Sequence, residues 1–151
     1  MSQSLAAVYI HLVFATKNRF PFLTDGPLRA EMHRYLAGTS NGLDCPALAV
    51  GGVADHVHLL ARLGRGCRLA DWVKELKRAS TVWLHGRALE LNDFSWQAGY
   101  GAFSVSASQL DKARQYVAGQ EVHHRQTTFQ EECRALLRAH AVEWDERYVW
   151  E

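Results

Sequence analysis

No run of this chain is apolar for long enough to cross a bilayer, which needs about 20 residues, and Met1 to Ala15 lacks the basic start and small-residue cleavage site of a secretory leader. Cysteine is scarce: Cys45, Cys67 and Cys133 are odd in number, scattered, and nowhere spaced as CxxC. That excludes a disulfide-stapled scaffold and a thiolate zinc site as the simplest readings, and points to a reduced, cytoplasmic protein without a membrane anchor. There are no repeats, low-complexity tracts or linkers, and no GxxxxGKS/T motif, so nothing suggests a second domain or nucleotide hydrolysis. Net charge is nearly absent too, at +1. It is unevenly placed, however: residues 16–87 hold eleven Lys and Arg against six acids, and residues 88–151 hold six against ten. A basic face for a polyanion with an acidic periphery fits this asymmetry, and so does chance clustering.

What is present suits one globular domain over residues 1–151, with 48% hydrophobic residues for a core. AVYIHLVFA at 7–15 reads as a central strand buried on both faces. Asp25 or Thr24 can cap a helix starting near Pro27, with Leu28, Met32, Tyr35 and Leu36 inward and an end at Asn41-Gly42. ALAVGGV and HVHLLARL follow as two strands close enough to form an antiparallel hairpin. Leu69 to Arg87 is an amphipathic helix, with Leu69, Trp72, Val73, Leu76, Trp83 and Leu84 inward. Lys74, Lys77, Arg78, Thr81 and His85 share its opposite face, which periodicity alone reads as solvated. YGAFSVS at 100–106 is a last strand, Ser108 caps a helix running to about His124, and a final helix lines up Phe129, Cys133, Leu136, Leu137 and His140. Trp144, Tyr148 and Trp150 make the tail too aromatic to float free. The β-α-β-β-α-β order predicts an α+β, ferredoxin-like four-stranded antiparallel sheet with additional C-terminal helices.

Two groups of residues carry chemistry. His56-Val57-His58 opens the third strand, where residues two apart share a face, so both imidazoles can meet one metal ion while Val57 faces the core. Eight histidines in 151 residues supply roughly 0.4 such triplets by chance, so the pair decides nothing by itself. Tyr116 and Gln120 stand one turn apart on the helix after the last strand, and His123 and His124 continue that face. A phenol, an amide and two imidazoles are poor core material unless something polar lies opposite.

Taken in order, YIHLVFATKNRFP, VADHVHLL, WVKELKRAS, WQAGYGAFSVS and QYVAGQEVHHRQTTFQEE resemble the single-tyrosine HUH transposases of small insertion sequences, whose relatives include the transposases associated with repetitive extragenic palindromes (REP). The resemblance spans roughly Tyr9 to Leu137 and leaves out the tail from about His140. It implies that His56 and His58 are metal ligands, Tyr116 the nucleophile and Gln120 the third protein ligand. Two imidazoles and an amide oxygen suit Mg²⁺ or Mn²⁺ without choosing between them. The implied activity is cleavage and rejoining of single-stranded DNA beside a hairpin through a 5′ phosphotyrosine, in a homodimer. His123 or His124 is a candidate proton acceptor, with packing an equal alternative. Lys17, Arg19, Lys74, Lys77 and Arg78 are then candidates to hold phosphates, and Trp96, Gln97, Tyr100 and Phe20 to contact bases where they do not serve the core. The alternatives are a domesticated DNA-hairpin-binding protein that does not cut, and a metal-dependent phosphodiesterase that uses water.

Overall fold

The computed structural model describes residues 2–151. Its elements run β1 (Tyr9–Ala15), α1 (Gly26–Gly42), β2 (Ala47–Gly52), β3 (His56–Arg62), α2 (Leu69–His85), β4 (Gly101–Val105), α3 (Leu110–Ala118), α4 (Gln120–His123) and α5 (Phe129–Ala139). The four strands form one sheet in the order β2-β3-β1-β4 with every neighbouring pair antiparallel, which is the expected ferredoxin-like α+β arrangement.

Alternation along the two central strands divides the side chains between two layers. Ile10, Leu12 and Phe14 of β1 and Val57, Leu59 and Ala61 of β3 enter the larger core. There they meet Met32 and Leu36 of α1 and Trp72, Val73, Leu76 and Leu84 of α2. The Asp25 carboxylate caps α1 by accepting from the Leu28 amide at 3.2 Å, as its position ahead of Pro27 predicts. Trp96 belongs to this layer. It is buried, donates its indole N–H to Ser80 Oγ at 2.9 Å and stands edge-on to Phe14, so it does not offer a face to a base.

The opposite face of β1 and β3 carries His11, Val13, Ala15, His56 and His58, and the C-terminal helices cover it. Phe129, Cys133, Leu136 and Leu137 of α5 pack on Val13, Ala15 and Phe103. A reciprocal capping box between Thr128 and Glu131 starts α5. Helix α3 lies so close to β2 that a Cβ on Gly51 would sit 1.9 Å from the Val117 carbonyl oxygen. Only glycine permits that approach. The single helix expected from Ser108 to His124 is divided: a 3-10 turn occupies Ala107–Gln109, and Gly119, at φ −91° and ψ 18°, interrupts α3 and α4. A glycine there makes the break inexpensive. The tail docks on α5 through one carboxylate: Glu146 accepts from Arg134 and from the indoles of Trp144 and Trp150. All three cysteines are free thiols, and no helix among the described residues is long and apolar enough to cross a membrane.

Candidate metal and nucleophile site

Strand β3 delivers His56 and His58 side by side onto the face covered by α3, α4 and α5, and both are fully buried. The side chains opposite them are polar. Glu132, from the first turn of α5, is buried with 2% exposure, and its Oε1 lies 2.8 Å from His58 Nε2, 3.1 Å from His124 Nε2 and 3.4 Å from His56 Nε2. His56 Nε2 and His124 Nε2 are 3.0 Å apart. The Tyr116 hydroxyl donates to the other oxygen, Oε2. His123 Nε2 approaches Oε2 at 3.2 Å without hydrogen-bond alignment.

The outward nitrogen of each of the three clustered imidazoles is engaged. His56 Nδ1 bonds Asp55 Oδ1, His58 Nδ1 bonds His11 Nε2 and His124 Nδ1 bonds the Thr127 carbonyl, each at 2.7 Å. Such outer partners fix ring orientation and leave each Nε2 aimed inward. His11 reaches the site from the neighbouring strand, stacked on His58 at a centroid distance of 5.0 Å. Burial and the adjacent His58 push its imidazole down to about 3, so it stays neutral and either donates or accepts.

These contacts set the protonation balance. Burial alone would raise the Glu132 carboxyl, but hydrogen bonds from His56 and His58 hold it well below the usual carboxylate range. Burial would likewise lower His56, and the bonds to Asp55 and Glu132 reverse this and raise it. His58 is lowered, by burial above all. Burial, then the anionic neighbour Glu132, raises the Tyr116 phenol far above its ordinary value. Tyr116 is therefore held as a neutral phenol, edge-on to His11 at 5.6 Å and to His58 at 5.8 Å.

Gln120 follows one turn after the tyrosine, and its Nε2 donates back to the Tyr116 carbonyl at 3.2 Å. Its Oε1 is buried and has no partner among the described residues. His56, His58 and Tyr116 are thus brought together around Glu132 within one chain, and Gln120 lies one turn after the tyrosine. The five basic candidates are not. Arg19 lines an open cleft of about 780 Å³ with Asp55, His124, Arg125, Thr127 and Thr128, and Lys17 stands exposed in the same turn. Lys74, Lys77 and Arg78 lie on α2, across the sheet from the histidines. Lys77 is half-buried and donates to the carbonyls of Gln97, Ala98 and Gly99 at 2.7, 3.3 and 2.8 Å; burial pushes its ammonium down to about 8. Arg78 is paired with Glu75. Of the aromatic candidates for base contact, Tyr100 and Phe20 are exposed, at 43% and 57%.

Glu132, Asp55 and His11 are the residues that sequence reasoning missed. One signal for Glu132 was available: it shares a helical face with Phe129, Cys133 and Leu136, and a lone carboxylate inside an apolar stripe needs a partner.

The sequence profile described as "Transposase IS200 like" matches residues 4–120. No curated protein matches the chain. Among solved structures, a Deinococcus radiodurans R1 protein provisionally described as a transposase is similar, at 24% identity and a TM-score of 0.61, covering 76% of this chain and 91% of that one. A REP-associated tyrosine transposase bound to a REP hairpin is similar at 16% identity and a TM-score of 0.60, covering 90% of this chain and 88% of that one.

Proposed function

The chain belongs to the IS200-like transposase family, and from that membership we propose that it cuts and rejoins single-stranded DNA beside a hairpin, with Tyr116 as nucleophile. One observation carries the reading: the Tyr116 hydroxyl and the imidazoles of His56 and His58 converge on a single buried carboxylate. Of the alternatives, a hairpin binder that never cuts has no use for a buried phenol held beside such a cluster.

Tyr116 Oη attacks the scissile phosphorus, the tyrosine–phosphorus bond forms and the bond from phosphorus to the 3′ oxygen breaks. The phenol proton passes to solvent as the tyrosine–phosphorus bond forms, and the departing 3′ oxygen takes a proton from solvent. The 5′ phosphotyrosine conserves the energy of the broken diester, so a free 3′ hydroxyl reverses the step on another strand end without ATP. His56 and His58 would hold a divalent ion with Gln120 as a third ligand, and the unpartnered Gln120 oxygen and inward-facing imidazole nitrogens fit that role. Such an ion, when bound, supplies Lewis-acid charge to the non-bridging phosphate oxygens. The strand enters by the cleft beside His124, where Arg19 and Arg125 meet its phosphates. Every residue proposed for the site is present in one chain.

The test mixes protein, Mn²⁺ and single-stranded DNA from the flanks of its own gene on a denaturing gel. A protein–DNA adduct is expected that disappears with EDTA and with Tyr116→Phe, while Tyr116→Phe keeps hairpin binding on a native gel. Hairpin binding without any adduct sinks the cutting reading in favour of the non-cutting binder. Strand cleavage that survives Tyr116→Phe favours a water-using phosphodiesterase.

A further inference from the structure

We propose that Glu132 and His124 are metal ligands alongside His56 and His58, placing three imidazoles and one carboxylate around the ion and leaving positions for Gln120 and a phosphate oxygen. This rests on the metal-dependent reading above and specifies what holds the ion. The stretch matched by the family profile ends at Gln120, so both added ligands come from beyond it, on α5 and the turn before α5.

Spacing is the first support. The four donor atoms all lie within 4.8 Å of one another. Bonds of about 2.0–2.2 Å to a six-coordinate ion place neighbouring donors roughly 2.8–3.1 Å apart. Glu132 Oε1 is already 2.8, 3.1 and 3.4 Å from the three Nε2 atoms. Those distances are within a few tenths of an ångström of such a shell, and a small motion of α5 admits the ion.

The second support is the outer shell. Asp55, His11 and the Thr127 carbonyl each bond an Nδ1, which is the arrangement that holds metal-binding histidines in register. Core histidines without a ligand need no such convergence. Third, the side chains that face the buried Glu132 carboxylate are imidazoles and the Tyr116 hydroxyl, and no Lys or Arg makes an ion pair with it among the described residues.

The donor set bears on ion identity. Three imidazoles favour transition ions such as Mn²⁺, Co²⁺ or Zn²⁺, whereas Mg²⁺ prefers oxygen and retains its waters. With Oε1 on the ion, Oε2 remains bonded to Tyr116, so one side chain fixes both the ion and the nucleophile. Glu132 is thus a ligand and, toward Tyr116, a positioning residue.

Calorimetric titration of Mn²⁺ into the EDTA-stripped full chain tests this, with wild type, His58→Ala, Glu132→Gln and Glu132→Asp. Expected are binding to wild type that exceeds Mg²⁺ binding, at least tenfold weaker affinity in Glu132→Gln, and partial recovery in Glu132→Asp. If Glu132→Gln does not fold, Glu132→Asp decides, since a ligand drawn back by one methylene weakens binding and a bystander does not. Wild-type affinity in the Glu132 variants with loss in His58→Ala would overturn the inference and leave the metal reading standing. Absence of Mn²⁺ binding by wild type would overturn both.

Discussion

Gly51 is the position where a single methyl group should disable the site from a distance. Helix α3 rests on β2 at Gly51, and an added Cβ would lie 1.9 Å from the Val117 carbonyl oxygen and 2.9 Å from its carbonyl carbon. Both are backbone atoms, so no rotamer change relieves the clash. Ordinary contact lies near 3.2–3.5 Å, and α3 has to withdraw by roughly 1–1.5 Å in Gly51→Ala. Overpacking of that kind costs about 1–3 kcal/mol, or roughly 2–12 °C of melting temperature for a chain of this size. Tyr116 precedes Val117 on the same helix, so its hydroxyl leaves Glu132 by a similar distance. Misplacement by about 1 Å reduces a rate on the order of 100-fold. Thermal melting and the single-turnover rate of adduct formation, measured below the variant's melting range, check the two consequences. A melting temperature within about 1 °C of wild type together with an unchanged adduct rate would refute the reasoning.

Two further outcomes follow from the same geometry. Asp55→Ala removes the anchor of His56 Nδ1 while leaving the ring in place, and should weaken Mn²⁺ binding by about 10–100-fold in calorimetry with little change in apo-protein melting; unchanged affinity would show that Asp55 does not orient the ring. His33 has a buried Nε2 without a partner among the described residues, and burial with the nearby Arg29 lowers its imidazole to about 4. Its folded value lies below the ordinary 6.5, so full stability is present above pH 6.5 and is lost as pH falls toward 4. His33→Leu should narrow the melting-temperature gap between pH 8 and pH 5, and an equal gap in both proteins would remove His33 as the cause.

The legible parts of this molecule were those with a local period. Alternation in β1 and β3 placed Val57 in the core and both histidines on the other face, and the one-turn spacing of Tyr116 and Gln120 placed them together. Periodicity identifies a face and is silent about what covers it. Lys77 and His85 sit on the stripe that reads as solvated, yet residues 94–99 run along it: Lys77 bonds the carbonyls of 97–99 and His85 bonds that of Phe94. Glu132 was illegible for a related reason. Its partner His58 is 74 positions away, and whether a carboxylate in an apolar stripe meets an imidazole depends on how α5 docks. The break at Gly119 lay between the two, since glycine lowers helix propensity without fixing where a helix divides.

The distance along the chain between His58 and Glu132 also orders events during synthesis. Imidazoles from the first half of the polypeptide wait for a carboxylate that emerges 74 residues later, and contacts of such long sequence separation form late in folding. A ribosome-bound fragment ending before residue 132 therefore has the histidines and the tyrosine without the group that draws them together. The cluster around this carboxylate is in this way left unassembled until translation has passed α5.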